Sequence, residues 1–282
     1  MKQIMGIDAG GTNIRCAVFS EGMKIISYSK EKIKNKNSKQ MLYSQLTSII
    51  DKSFSPKIKG IGIAVPAIID IKKGVLYEAF NIPAWQKVPL KAMLEKKYKV
   101  KVLINNDANC FALGESLYGS AKDYKNIAGI ILGTGFGVGI IINKKIYCGN
   151  NCAAGEFGRI FLKDKTIEDY CSGKFFINKY KLSGEKLYEM AGKGNKRALN
   201  AFREFGSNLG PGAAAIINSI DPECIIFGGS ISKAYKFFKN SFLESLKKHI
   251  YKQAYKNIRI KASKTEKMGV LGAVSLFYES KR

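Results

Sequence analysis

Ile4-Met5-Gly6-Ile7-Asp8-Ala9-Gly10-Gly11-Thr12-Asn13-Ile14-Arg15-Cys16-Ala17-Val18-Phe19 runs from an apolar strand through a glycine-rich turn into a second strand. Glycines let backbone N–H groups approach phosphate oxygens closely, and Thr12 adds a hydroxyl donor. Asp8, just before the turn, is placed to hold Mg²⁺ through water without neutralising the turn itself. The second half repeats the idea: residues 128–143 read as a strand, the turn Gly133-Thr134-Gly135-Phe136-Gly137 and a strand rich in isoleucine. A third glycine pair, Gly228-Gly229, follows a strand and precedes a helix, where a flat adenosine could lie against the backbone. Any one of these turns alone is an ordinary hairpin signal. Three at strand ends, one preceded by Asp, point to nucleotide phosphates. Competing nucleotide motifs fail: G-x-x-x-x-G-K-[ST] is missing, and Gly133-x-Gly135 lacks a third glycine three residues on.

Around these turns the chain alternates strands and helices. A third strand is expected near 24–29, and apolar residues at 42, 46, 49, 50 and 54 form a helical stripe over 38–54. Residues 58–65 read as a buried strand ended by Pro66, 89–98 as a helix opened by proline, and 100–104 as a strand. Asp107 occupies the expected N-cap of a helix over 108–117. Helices follow over 169–180, 184–191 and 196–220, the last interrupted at Gly210-Pro211-Gly212. Strand 224–227, helix 233–252, strand 257–262 and helix 269–280 complete the chain. Sheet-forming segments open both halves and helices succeed them, which predicts a duplicated α/β architecture with a cleft between two lobes.

The 282 residues carry 47 Lys+Arg against 22 Asp+Glu, a formal +25 that raises nucleic acid or an anionic membrane as a partner. Only six of the cations are arginine (15, 159, 197, 203, 259 and 282), so the diffuse lysine excess reads as a solvated surface and no nucleic-acid partner is expected. With 46% hydrophobic and 24% charged residues the chain is globular, not disordered. A cleavable signal pattern and an apolar stretch of bilayer length are both missing, so a cytoplasmic protein with no membrane partner and reduced cysteines is expected. Cys148 and Cys152 form the only close pair; a zinc site would need them, Cys171 and a fourth ligand, and small buried thiols are the simpler reading. His249 is the sole histidine and reads as a helix-surface residue, which leaves Ser-His-Asp and H-E-x-x-H chemistries little to build on.

Four motifs, Asp8-x-Gly10-Gly11-Thr12-Asn13, Asn106-Asp107-Ala108-Asn109, Leu132-Gly133-Thr134-Gly135-x-Gly137-x-Gly139 and Ala154-Gly155-Glu156-x-Gly158, resemble in order those of the ROK family (repressor, open reading frame, kinase). The resemblance covers essentially the whole chain. It implies the two-lobed α/β fold of the actin/Hsp70/sugar-kinase superfamily, of ribonuclease H-like type. Residues 1–107 with 268–282 would form the smaller N-terminal lobe and 108–267 the larger C-terminal one. It also implies ATP with Mg²⁺, a hexose substrate and a homodimer.

Phosphoryl transfer needs positioning, charge neutralisation and a group to accept the proton of the attacking hydroxyl. From spacing alone Asp107 reads as a helix cap; the resemblance implies that it is the base for the sugar's primary hydroxyl, with Asn106 holding a neighbouring hydroxyl. Glu156 would accept hydrogen bonds from sugar hydroxyls. Glu168 resembles the family's second sugar-binding Glu, or is a helix-start residue favoured by the dipole. Asn81, in Phe80-Asn81-Ile82-Pro83-Ala84-Trp85, resembles an Asn-x-x-Gly-Trp turn of the sugar site, with Ala84 in place of Gly and Trp85 packing beside the pocket.

Two departures stand out. Family members carry a zinc-ligating His after Glu-x-Gly, where this chain has Arg159, and the three zinc cysteines before the second Glu are missing too. No structural zinc is therefore expected. Arg159 either pairs with Glu156 or Glu168, or offers fixed positive charge to an acidic or N-acyl sugar. The resulting expectation is an ATP-dependent hexose kinase acting on C6, glucose first, with N-acetylhexosamine and fructose kinases as alternatives. A ROK repressor would carry a helix-turn-helix before the first glycine turn, for which little sequence precedes Asp8. An ATPase activator with an iron–sulfur cluster would need clustered cysteines, and a sugar sensor would leave Asp8 and Asp107 without a task.

Overall fold

A computed structural model describes residues 2–79 and 82–279. In the first half β1 (Gln3–Ala9), β2 (Asn13–Ser20) and β3 (Ile25–Lys32) form an antiparallel meander. It is followed by α1 (Lys39–Asp51), β4 (Ile58–Val65), the hairpin β5–β6 (Ala67–Asp70, Val75–Ala79), α2 (Leu90–Tyr98), β7 (Lys101–Asn106) and α3 (Asp107–Tyr118). The second half opens with β8 (Ile127–Leu132), β9 (Phe136–Ile142) and the short β10 (Lys145–Ile146). Next come the hairpin β11–β12 (Phe161–Leu162, Lys165–Thr166) and helices α4 (Ile167–Cys171), α5 (Gly173–Tyr180), α6 (Gly184–Gly192) and α7 (Lys196–Ile220). Then follow β13 (Cys224–Gly228), α8 (Tyr235–Lys247), α9 (Lys252–Asn257), β14 (Arg259–Ala262) and α10 (Met268–Glu279).

The two main sheets have orders β3-β2-β1-β4-β7 and β10-β9-β8-β13-β14, the same topology twice. In each, the opening hairpin is antiparallel and the two later strands add in parallel. The parallel strands are covered on both faces, which is why β4 and β13 read as apolar runs and not as alternating patterns. Met5, Ile7, Ile14, Leu42, Leu46 and Ile63 centre the first core. The second is built on phenylalanines, among them Phe176 and Phe205, stacked at 5.0 Å between centroids.

Helices α3 and α10 cross between the two sheets, and glycine sets how closely they pack. A Cβ on Gly272 would lie 1.7 Å from the Cys110 carbonyl oxygen, and one on Gly62 1.9 Å from that of Ala273. Val270 and Val274 pack on Ala17 and Phe19 of β2.

Most expected elements are present, and three differ for identifiable reasons. Helix α7 is continuous through Pro211. The Ser207 carbonyl, four residues back, cannot bond to a proline nitrogen and instead accepts from Ser245 Oγ of α8 at 2.7 Å. Gly206 and Gly210 leave room for α8: a Cβ on either would meet Ser241 or Ser245 Oγ at 2.3 Å. The expected helix 169–180 is two helices, broken at Ser172, whose side chain caps α5 by accepting from the Lys174 N–H. The expected helix 233–252 is a 3-10 turn (Ile231–Ala234) and then α8 and α9, with His249 exposed between them. The β5–β6 hairpin was not foreseen. Trp85 is 2% exposed and packs in the first core.

Candidate active site

A cavity of about 750 Å³ opens between the two sheets, in the size range of small-molecule sites. It brings together Gly11 and Thr12 at the tip of the β1–β2 hairpin and Gly133, Thr134 and Gly135 at the tip of the β8–β9 hairpin. Asn106 and Asp107 stand at the head of α3, and Glu156, Arg159 and Glu168 line the remaining wall. Asp8, Gly10, Asn13, Gly228 and Gly229 lie outside this lining, and Asn81 lies outside the described residues. Gly228 and Gly229 have a packing reason of their own. A Cβ on Gly228 would strike the Phe111 ring at 2.4 Å, and Gly229 has φ +84 with the Leu132 carbonyl 2.3 Å from a would-be Cβ.

The cap of α3 corrects the expectation for Asp107. Asn106 is the N-cap: its extended backbone (φ −60, ψ 145) lets its side-chain oxygen accept from Ala108 N–H at 2.9 Å and Asn109 N–H at 3.4 Å. Asp107 is thereby the first helical residue, its carboxylate relieved of the capping role and open to the cavity. Burial and the nearby Asp8 and Glu156 carboxylates, opposed by backbone hydrogen bonds from Ala108 N–H and its own N–H, leave its pKa at about 7. Such a carboxyl is a base at neutral pH with little excess acidity to overcome.

Asp8 is also pushed up by burial, against the pull of Arg15. Arg15 Nη1 lies 2.8 Å from Asp8 Oδ2, an ion pair that sequence reasoning missed. The signal was there: closing the hairpin with Ala9 opposite Ile14 puts Arg15 opposite Asp8.

Glu156 projects from a turn anchored on β9. Gly155, at φ +98, leaves no space for a Cβ beside the Val138 carbonyl oxygen (2.0 Å). Burial raises the Glu156 pKa, Arg159 lowers it and Glu168 raises it, so guanidinium and carboxylate share one electrostatic neighbourhood.

Glu168 is more committed than expected. Its Oε2 accepts the Phe136 N–H at 2.9 Å and its Oε1 pairs with Lys174 at 2.7 Å, so it braces the second glycine hairpin while lining the cavity. Glu168→Ala would leave that N–H without its acceptor, and thermal unfolding should show a loss of about 1 kcal/mol. A wild-type melting temperature would mean that the brace contributes nothing.

Lys36 and Lys174 join Arg159 in the lining, so the cavity holds three cations and not Arg159 alone. No spacing rule pointed to either lysine. Where the family's zinc segment would run, the short β11–β12 hairpin links Arg159 to Thr166, which caps α4 through a capping box with Asp169. Cys171 is buried and its Sγ donates to the Asn208 carbonyl at 3.4 Å. Among the described residues, no three His, Cys, Asp or Glu side chains gather in a metal-binding group, and no helix is long and apolar enough to cross a membrane.

A duplicated α/β fold with two glycine hairpins facing a cleft is that of the actin-like ATPases. Within that class the chain belongs to the ROK family, whose model matches residues 4–280. It is 28% identical over 305 residues to a glucokinase of Halalkalibacterium halodurans, covering 95% of this chain and 90% of that one. It is equally 28% identical over 313 residues to a xylose repressor of Caldicellulosiruptor bescii (97% and 77% covered). A ROK family glucokinase of Streptomyces griseus, solved with glucose and AMPPNP, superposes with a TM-score of 0.85 at 26% identity, covering 97% and 98% of the two chains.

Proposed function

We propose that the protein is an ATP-dependent hexose kinase that transfers the γ-phosphoryl group to the primary C6 hydroxyl of a sugar, with glucose the foremost candidate. The observation that carries this is Asp107. A carboxyl with a pKa of about 7, freed from capping by Asn106, faces both glycine hairpins and Glu156 across one cavity.

The sugar sits at the end of the cavity formed by Asn106, Glu156 and Arg159, with Asn81 as a further contact. Glu168 holds the adjoining wall and lends its remaining acceptor capacity. Gly10, Gly11, Thr12, Asn13, Gly133, Thr134 and Gly135 receive the phosphates, and Gly228-Gly229 backs the adenosine. Asp107 takes the hydroxyl proton as that oxygen bonds to the γ-phosphorus. The bridging P–O bond then breaks, and its electron pair leaves with ADP. The site suits a divalent cation: Asp8 offers hard oxygen donors, and the charges of Asp8 and Asp107 oppose each other in buried surroundings. Mg²⁺ held through water at Asp8 would neutralise the phosphate charge. Arg159 pairs with Glu156 and holds it for the sugar, and the chain carries no structural zinc; stoichiometric zinc in the purified protein would overturn that last point.

A coupled ADP-release assay over glucose, fructose, N-acetylglucosamine, N-acetylmannosamine and an acidic sugar tests the reading. Glucose should give the highest kcat/KM. Preference for an N-acetylhexosamine would move the substrate within the class, and preference for an acidic sugar would assign the Arg159 charge to substrate. Glucose binding without ADP release would make the protein a sensor, a reading the similarity to a xylose repressor keeps in view.

The pH profile is a separate check. Protonated Asp107 cannot accept the hydroxyl proton, so kcat/KM should fall about tenfold per pH unit below the Asp107 pKa of about 7 and level off above it. A flat profile between pH 5 and about 7 would exclude Asp107 as the base. Sedimentation should find a homodimer, and a monomer at assay concentration would refute that assignment.

A further inference from the structure

Behind the sugar end of the cavity lies a dithiol that the reaction does not use. Cys148 follows β10, and Cys152 precedes the turn that carries Glu156. Asn105 Oδ1 is 3.8 Å from Cys148 Sγ and 3.6 Å from Cys152 Sγ. Asn109 Nδ2 is 3.6 Å and 3.9 Å from the same two sulfurs. Both sulfurs thus share one pair of amides, and those amides flank Asn106 and Asp107 in the chain.

The two thiols differ in access. Cys152 is 4% exposed, whereas Cys148 is only half-buried. The loop between them doubles back through two left-handed residues, Gly149 (φ +68) and Cys152 (φ +56), and is closed by Ala154 N–H donating to the Cys148 carbonyl at 3.1 Å. The neighbouring Cys152 thiol draws the Cys148 thiol below its ordinary pKa, Cys152 is itself raised by Cys148 and by burial, and burial raises the thiols of Cys16, Cys110, Cys171 and Cys224. A partly accessible attacking thiol backed by a sheltered resolving thiol is the arrangement that disulfide exchange requires.

We propose that Cys148 and Cys152 form a reversible modification site for low-molecular-weight disulfides, and that their oxidation to an intramolecular disulfide weakens sugar binding. The Cys148 thiolate attacks one sulfur of the small disulfide. That S–S bond breaks, and one small thiol leaves with the electron pair and takes up the Cys148 proton. The Cys152 sulfur, giving up its proton, then attacks Cys148 Sγ in the mixed disulfide and expels the second small thiol. Two cysteine S–H groups are oxidised to one S–S bond, and one small disulfide is reduced to two thiols. Drawing the sulfurs together to about 2 Å removes both thiol donors from Asn105 Oδ1 and pulls on the turn bearing Glu156.

The sugar-binding half of this proposal rests on the kinase reading; the thiol chemistry does not. The test is incubation of the full chain with oxidised glutathione, followed by peptide mass mapping and by glucose titration calorimetry of the reduced and oxidised forms. The peptide spanning residues 148–152 should lose two hydrogens and regain them with dithiothreitol. Cys152→Ser should trap glutathione on Cys148, while Cys148→Ser should stay unmodified within the loop, and both variants should bind glucose as the reduced wild type does. Oxidation should raise the glucose Kd about tenfold or more, the equivalent of one charge-assisted hydrogen bond lost at Glu156. Absence of the internal disulfide, failure of Cys152→Ser to trap, or an unchanged glucose Kd in the oxidised form would each overturn the proposal. Failure of the reduced protein to bind any sugar would instead count against the kinase reading, and the mass mapping would still decide the dithiol site.

Discussion

In Asp107→Asn, glucose-dependent ADP release should fall on the order of 10²–10⁴-fold, the contribution of a positioned general base. Binding of glucose and ATP should persist, because the asparagine oxygen can still accept the Ala108 N–H that Asp107 Oδ1 now receives at 2.9 Å. The same variant should be more stable. Burial and the charges of Asp8 and Glu156 raise the Asp107 pKa from 3.8 to about 7 in the folded protein. A raised carboxyl pKa favours folding while the group is protonated, so its contribution is fully present below the unfolded pKa and is lost as pH climbs through about 7. Asparagine never ionises and retains that contribution. The melting temperature of the variant should therefore exceed wild type most clearly above pH 7, by roughly 2 °C for each kcal/mol relieved, with the gap closing below about pH 4. Wild-type turnover in the variant would remove Asp107 from the base role; a lower melting temperature at alkaline pH would refute the buried-charge account.

Gly272→Ala should damage fold and activity together. Its Cβ would stand 1.7 Å from the Cys110 carbonyl oxygen, which the helix backbone of α3 cannot move aside. Helix α10 also begins over the other acidic centre, since a Cβ on Gly269 would meet Asp8 Oδ2 at 2.6 Å. The crossing of α3 and α10 thus sets where Asp107 and Asp8 stand relative to each other. Overpacking of this kind costs about 1–3 kcal/mol, against a gain of about 1 kcal/mol from alanine in a helix. The melting temperature should drop by several degrees, and turnover should fall with KM raised for both substrates. Gly192→Ala is the control: with nothing within 4 Å of its would-be Cβ, it should leave turnover unchanged and the melting temperature no lower than wild type. A neutral Gly272→Ala would mean that the crossing yields without consequence.

The duplicated fold was legible in the chain because its signals are local. A hairpin turn with glycines, an apolar run ended by proline and a helical stripe each depend on near neighbours, so both sheets could be anticipated. The errors arose where a distant partner replaced a local rule. Pro211 reads as a helix break until Ser245, on another helix, supplies the hydrogen bond that the proline cannot. Asp107 reads as the cap of α3, but the extended backbone at the end of β7 gives that role to Asn106.

For the site, the chain alone determined which residue types stand at the strand ends: the glycine turns, Asp8, Asn106, Asp107, Glu156 and Glu168. Tertiary structure decided what those residues are free to do. Only the folded chain places Arg15 on Asp8, ties Glu168 to the Phe136 N–H and to Lys174, and brings Lys36 and Lys174 into the cavity. It also sets the proton affinity of Asp107, because desolvation and the approach of Asp8 and Glu156 are properties of distance and burial. Sequence lists the carboxylates; the crossing of two glycine-bearing helices brings Asp8 and Asp107 close enough to tune each other.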